Sequence, residues 1–170
     1  MLQGVKTRGY PSLQELEIAP GYPSPGRLEK GPVAVIECIE EIPCNPCEQA
    51  CPQHAITIGK PITNRPHLDE DKCIGCGLCI PRCPGLAIFL VDLTYGQGVA
   101  TVGFPYEYLP LPEEGQAVQA VNRAGEPVCP GTVIKVQNPK VNDQTPVVTI
   151  TVPREYAAEV RGIRRIRRER

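Results

Sequence analysis

Short apolar runs divide this chain, and most of them have the composition of β-strands. Many are rich in Val, Ile and Thr, several alternate apolar with polar positions, and Gly, Pro, Asn or Asp residues separate them. β-branched residues, a period of two and flanking turn residues are typical of strands. The runs occupy residues 33–36, 55–58, 67–69, 87–91, 99–102, 116–121, 132–136 and 147–152. Strands are therefore predicted at these positions.

Residues 1–32 lack such runs and are interrupted by repeated Pro and Gly residues. Only residues 13–17 can form a turn of helix there. We predict an extended arm that is useful only against a partner surface. Its candidate anchors are the apolar residues Leu2, Val5, Tyr10, Leu13, Leu16, Ile18 and Tyr22.

The end of the chain combines a helical period with a strong positive charge. Tyr156, Val160 and Ile163 fall on one helical stripe, which predicts a helix over residues 153–170. That segment contains seven Arg against three Glu residues. Its last part offers four of these cations to acidic groups of a partner: Arg164, Arg165, Arg167 and Arg168.

These patterns predict an α+β chain of four segments. The extended arm covers residues 1–32, and a Cys-rich domain covers residues 33–92. A small all-β module covers residues 93–152, and the basic helix covers residues 153–170. Because turn-like connections separate its strands, the β module is expected to form a small antiparallel barrel or sandwich.

Nine Cys residues are far more than an ordinary chain of this length contains. Eight of them fall between Cys38 and Cys83, in a small region that needs crosslinks to remain folded. The N-terminus has no apolar core typical of a signal peptide, so a cytoplasmic location is expected. The longest apolar run, residues 87–91, is far shorter than the ~20 residues that cross a bilayer. In a reducing cytosol, clustered Cys residues indicate zinc or iron-sulfur cofactors rather than disulfides.

The Cys-rich domain is an internal repeat. A shift of 32 positions superimposes two sets of residues: Cys44, Cys47, Cys51, Pro52, Ala55 and Ile56 on Cys76, Cys79, Cys83, Pro84, Ala87 and Ile88. Each Cys-Pro pair predicts a helix start, because Pro suits the first helical position. Each half is therefore expected to run as a strand, a ligand loop, a short helix and a second strand.

The second copy of the repeat carries the clearest cofactor motif. It reads Cys73-x2-Cys76-x2-Cys79-x3-Cys83-Pro84. A cubane 4Fe-4S cluster needs one thiolate for each iron, and three evenly spaced Cys residues reach three corners, so a remote Cys must bind the fourth. Zinc sites usually join two separated Cys-x2-Cys pairs, which makes zinc the weaker interpretation.

With this motif the sequence resembles the bacterial two-cluster ferredoxin family over roughly residues 33–92. The resemblance implies a pseudo-symmetric domain in which the Cys of each Cys-Pro pair binds the cluster of the other motif. It assigns one 4Fe-4S cluster to Cys73, Cys76, Cys79 and Cys51. Gly75 and Gly77 match the family as well, and they are expected to bring backbone N–H groups close to the cluster sulfides.

The first motif departs from the family pattern, because Glu41 lies where the repeat requires a Cys and Cys38 lies three residues earlier. The expected ligands of a second 4Fe-4S cluster are Cys38, Cys44, Cys47 and Cys83. Three alternatives stay open: Glu41 as a carboxylate ligand, an incomplete 3Fe-4S site, and Cys38 as a small buried residue without a ligand role.

The remaining candidate residues indicate little chemistry. His54 and His67 are expected to be structural, and Cys129 lies outside the motifs on a predicted turn. No nucleophile with a general base, phosphate-binding loop or dinucleotide fingerprint can be recognised. The chain is therefore predicted to be non-catalytic.

The predicted function is that of an electron-transfer subunit with two 4Fe-4S clusters, which relays electrons between a partner flavoprotein, carrying FAD or FMN, and an acceptor. The architecture loosely resembles the small iron-sulfur subunit of multi-subunit FAD-dependent amino-acid or amine dehydrogenases. A free-standing ferredoxin is one alternative. A structural iron-sulfur adaptor that binds nucleic acid through the basic tail is another, although the β module offers few aromatic residues for stacking on bases.

Overall fold

Two antiparallel sheets organise the chain in the computed structural model, which describes residues 4–167. The strands are β1 (Val33–Ile36), β2 (Ile56–Thr57), β3 (His67–Leu68), β4 (Ile88–Gly96), β5 (Val99–Pro105), β6 (Ala117–Val121), β7 (Pro127–Gln137), β8 (Val147–Pro153) and β9 (Gly162–Ile163). Seven of them form one sheet in the order β1-β4-β5-β8-β7-β6-β9, and β2 pairs with β3. The structure belongs to the predicted mixed class of helices and strands, and strands predominate in it.

Helices are few and short. They are α1 (Gly4–Arg8), α2 (Leu13–Glu17), α3 (Pro25–Leu28) and α4 (Pro46–Ala50), with 3-10 turns at Ile80–Arg82, Lys140–Asn142 and Arg154–Tyr156. Between residues 4 and 167, no helix has the length and apolar character that a bilayer crossing requires.

Strand β4 crosses the domain boundary that the sequence predicts at residues 92 and 93. It pairs with β1 from Ile88 to Val91 and with β5 from Leu90 onward, so the Cys-rich region and the β module share one sheet. The predicted barrel or sandwich is therefore part of a larger continuous sheet. The apolar run at residues 87–91 predicts only a short strand at the end of the Cys-rich domain. In the structure β4 continues to Gly96 and forms a hairpin with β5.

The N-terminal segment differs from the predicted extended arm because it folds onto its own chain. Ser12 caps α2 with a reciprocal capping box to Glu15, and Leu16 is completely buried. Such local capping supplies order that Pro and Gly content alone does not indicate. Of the predicted anchors, Leu13 and Ile18 are exposed. Leu2 lies outside the described residues.

The predicted C-terminal helix is also wrong over the described residues 153–167. A 3-10 turn at Arg154–Tyr156 is followed by β9, which pairs with β6. Val160 and Ile163 are buried against the large sheet. Gly162 and β-branched neighbours disfavour a continued helix, and the open edge of β6 offers backbone partners instead. Arg168 lies outside the described residues.

The Cys-rich half has the expected repeat of strands, but its helices lie on the other side of the Cys-Pro pairs. Helix α4 ends at Cys51 and the turn Ile80–Arg82 ends at Cys83, each with an extended ψ. The residue before a Pro is pushed out of the helical region, so Cys-Pro closes these helices. Pro46 and Pro81 supply the Pro at the first helical positions.

Candidate iron-sulfur site

The eight Cys residues of the repeat lie around two separate cavities. The first quartet, Cys38, Cys44, Cys47 and Cys83, lines a cavity of about 590 Å³. The second quartet, Cys51, Cys73, Cys76 and Cys79, lines a smaller cavity. Each quartet thus takes three thiols from one copy of the repeat and one from the other, as the resemblance implied. All of these thiols are free of disulfides.

Local structure explains how the first quartet is presented. Cys38 lies two residues after the end of β1, and Cys47 lies in the first turn of α4, where Pro46 starts the helix. Cys47 is buried, while Cys38, Cys44 and Cys83 are half-buried. Burial and the charge of Cys83 raise the pKa of Cys47 to about 11. Burial also raises the pKa of Cys38, and electrostatic interactions with Cys83 and Cys44 raise it further.

Backbone N–H groups donate to several sulfur atoms. The amide of Ala55 donates to Cys51 Sγ over 3.3 Å, and the amide of Ala87, its repeat equivalent, donates to Cys83 Sγ over 3.4 Å. The two Cys residues that cross between the repeats are thus held in the same way. Such outer contacts orient thiolate ligands and stabilise their negative charge.

The second quartet receives support from the N-terminal segment. Gly75 has a φ of +67°, and a Cβ at this position would lie 2.5 Å from the carbonyl oxygen of Pro32. Glycine is therefore required because Pro32 packs against the ligand loop. Burial raises the pKa of Cys79 strongly, and the thiols of Cys73 and Cys76 add to the effect.

The candidate residues of the irregular first motif lie in different surroundings. Cys38 lines the first cavity, whereas Glu41 is exposed and does not line it. His54 and His67 are exposed and line neither cavity. Cys129 is buried in the core of the large sheet, away from both quartets.

Two groups of buried charges near the quartets were missed by sequence reasoning. Arg27 donates to four backbone carbonyl oxygens, including that of Cys73. Glu37, next to Cys38, forms ion pairs with Arg123 and Arg161. The available signal was Glu37 directly after the apolar run at residues 33–36, although its pairing with Arg161 joins positions more than a hundred residues apart.

The residues of each quartet fit a cubane cluster. Four thiols around one cavity provide one ligand for each of four irons. Across the described part of the chain, no set of three or more His, Cys, Asp or Glu residues is arranged to hold a single metal ion. In each quartet the four thiols line one cavity.

Comparisons with known proteins agree with this chemistry. Residues 37–87 match a family described as a 4Fe-4S dicluster domain. An uncharacterized ferredoxin of Methanocaldococcus jannaschii is 44% identical over 50 residues, which is 29% of this chain and 28% of that protein. The polyferredoxin-like subunit of an aliphatic sulfonate oxidoreductase of Pyrococcus furiosus is 37% identical over 54 residues, 32% of this chain and 28% of that subunit.

A longer alignment is to a protein that is not named as a ferredoxin. The ABC transporter E family member 1 of Arabidopsis thaliana is 29% identical over 107 residues, 53% of this chain and 18% of that protein. The chain thus spans only 18% to 28% of these three relatives. No solved structure matches the chain. These findings support 4Fe-4S chemistry in the Cys-rich region.

Proposed function

We propose that this chain is an electron-transfer subunit with two 4Fe-4S clusters, one in each Cys quartet. The observation that carries the proposal is the exchange of Cys51 and Cys83 between the repeats, which gives each cavity four thiols. A match to a dicluster family over the same residues supports it. The proposed location is the cytoplasm, where reducing conditions keep thiols available as ligands.

The residues of the chain would hold and insulate the clusters, and the clusters when bound would supply one-electron redox chemistry. The thiolates bind iron, and the amides of Ala55 and Ala87 stabilise negative charge on two of the sulfur atoms. Each electron accepted from a donor is passed to an acceptor, and no substrate bond forms or breaks on this chain. The chain itself is therefore proposed to be non-catalytic.

The proposed donor is a flavoprotein subunit in a hetero-oligomer, as in the FAD-dependent amino-acid or amine dehydrogenases. The name of the Pyrococcus relative, a subunit of an oxidoreductase, supports such an assembly. The second quartet offers a route for electrons to a partner, because Cys76 is exposed and is flanked by the exposed apolar side chains of Ile74 and Leu78. Apolar exposed residues beside a buried redox centre are suited to a protein contact.

Two other functions have observations in their favour. A free-standing ferredoxin is supported by the N-terminal segment, which packs on its own chain and buries Leu16 without a partner. A structural iron-sulfur module is the other candidate, because the longer match is to a protein whose name, ABC transporter E family member 1, is not that of an oxidoreductase. In the second case the clusters would be present but would not exchange electrons under physiological conditions.

The test is the anaerobic purification of the full chain with its associated proteins. The proposal expects about eight iron and eight sulfide per chain, co-purifying flavin, and bleaching of the cluster absorbance when the substrate of the flavoprotein is added. Iron near four per chain, or zinc, contradicts two clusters. Full clusters that a flavoprotein never reduces, although dithionite does, favour the free carrier. Clusters that even dithionite leaves oxidised favour the structural module.

A further inference from the structure

A buried cluster of three charges lies beside the first quartet and joins three distant parts of the chain. Glu37 comes from the end of β1, Arg123 from the turn after β6, and Arg161 from the segment before β9. Arg123 binds both carboxylate oxygens of Glu37, at 2.7 and 2.5 Å. Arg161 Nε donates to the same carboxylate over 2.5 Å. We call Glu37, Arg123 and Arg161 the charge triad.

The triad carries an excess positive charge that is shielded from water. One carboxylate faces two guanidinium groups, and arginine stays protonated in proteins. The side chains of Glu37 and Arg161 are only 5% and 3% exposed. The Glu37 carboxylate accepts three hydrogen bonds from the guanidinium groups of Arg123 and Arg161, and these contacts favour its ionised form. The net charge is therefore +1.

The contacts of the Arg161 guanidinium satisfy it only in part. Its Nη1 donates to the carbonyl oxygens of Ala157 and Val160, while its Nη2 is buried without a hydrogen-bond partner. The guanidinium lies 5.2 Å from the centroid of the Phe89 ring, which gives it a weak cation–π contact. A single Arg would suffice to pair Glu37, so the second buried Arg is not explained by neutralising that carboxylate.

The triad lies at the first quartet and not at the second. Glu37 precedes Cys38 directly, and all three triad residues line the same cavity as the four thiols of the first quartet. The Ala87 carbonyl accepts from the Glu37 amide over 2.8 Å, which ties the triad to the residue that donates to Cys83. None of the triad residues lines the cavity of the second quartet.

We infer that the charge triad is an electrostatic tuning device that raises the reduction potential at the first quartet. The inference rests on the proposed function, since it assumes a redox-active cluster there. Reduction adds one electron, and hence one negative charge, without breaking a bond. A buried positive charge favours that added charge, and burial protects the interaction from screening by salt. The potential at the first quartet therefore depends on residues of the β module and the C-terminal segment.

The test is an EPR-monitored redox titration of the anaerobically purified full chain with its clusters, comparing two substitutions of opposite charge. Arg161→Met removes one positive charge and should lower one of the two midpoint potentials. Glu37→Gln leaves both guanidinium groups without an anion and should raise the same potential. The other potential should move less in both variants. Iron content is measured in each sample, so that only chains with full clusters are compared.

Three further variants separate the effect of charge on the reduction potential from the effect of a disturbed structure. Arg161→Lys keeps the charge but loses the forked hydrogen bonds, so it should keep the potential near that of the wild type. Arg154→Met removes an exposed Arg that pairs with Glu29 and should shift neither potential. If Arg161→Met does not retain clusters, Arg123→Met removes the same charge from the triad and should lower the potential in its place.

The outcomes decide the inference independently of the proposed function. Shifts of the same sign in the Arg and Glu variants, or a shift in Arg161→Lys as large as in Arg161→Met, would show a purely structural triad. Unchanged potentials in variants with intact, reducible clusters would also overturn the inference. Wild-type protein without reducible clusters would instead overturn the proposed function.

Discussion

The guanidinium of Arg27 donates a hydrogen bond to the backbone carbonyl of Cys73 over 2.7 Å. The same side chain donates to the carbonyl oxygens of Gly31, Pro32 and Glu70. One buried cation from the N-terminal segment thus fixes the start of the second ligand loop from outside the repeat. The segment that looked like a detachable arm in the sequence is part of the candidate site.

Replacing Arg27 should damage the second quartet selectively. Arg27→Met leaves four carbonyl oxygens without their charged donor, which should lower the free energy of unfolding by on the order of 3 kcal/mol. Iron content should fall toward half, because the Cys73 loop loses its support. Iron analysis and urea-induced loss of cluster absorbance in the anaerobic protein measure both effects. Arg27→Lys should restore iron content and stability only in part. The compact ammonium group of Lys cannot donate to the four carbonyl oxygens that the planar guanidinium of Arg27 reaches. Full iron content in Arg27→Met would contradict this role.

The ligand assignment at the irregular motif can be tested with three single substitutions. Cys38→Ala should reduce iron content or produce a 3Fe-4S EPR signal, because Cys38 lines the first cavity. Glu41→Ala should leave the clusters unchanged, because this side chain is exposed and lies away from the cavity. Cys129→Ala is the matched thiol control in the sheet core. A silent Cys38→Ala together with cluster loss in Glu41→Ala would reverse the assignment.

Removal of iron should unfold the ligand loops but spare most of the large sheet. Metal binding contributes folding free energy to loops with few apolar contacts of their own. The sheet core is independent of the quartets, since Val102, Val133 and Ile150 are fully buried among other sheet residues. Hydrogen exchange should therefore show lost protection in residues 38–86 of the apoprotein and retained protection in β5, β7 and β8. Equal loss throughout the chain would indicate a single cooperative unit.

The sequence predicts the strands well, but it predicts the helices and the pairing of the strands poorly. Each apolar run contains a strand or belongs to one, because a period of two is a local signal. The repeat spacing relates most of the Cys residues in the two quartets, whereas Cys38 departs from it. Sheet order, the continuation of β4 into the β module and the Glu37–Arg161 pair depend on contacts between distant residues. The pattern along one chain does not encode which strand edge or which buried charge a residue will meet.

The backbone of the N-terminal segment connects the two repeats. The carbonyl oxygen of Gly21 accepts from the amide of Ile36 at the end of β1, and that of Pro20 accepts from Leu68 in β3. A Cβ on Gly21 would lie 2.9 Å from the Ile36 Cβ, so this close approach requires glycine. Deletion of residues 1–25 is therefore expected to weaken both repeats, which an arm that contacts only a partner would not do.

The same segment can still contact a partner through its exposed side chains, and two variants separate the two roles. Deletion of residues 1–25 should reduce iron content and lower the temperature at which cluster absorbance is lost, because it removes the backbone bridge and the buried Leu16. The double variant Leu13→Ser with Ile18→Ser changes only exposed side chains, so its clusters should match the wild type. Under the subunit proposal, this double variant should nevertheless lose the co-purifying flavoprotein. If it retains the flavoprotein and normal substrate-driven reduction, the segment has a folding role alone, and the free-carrier function gains support.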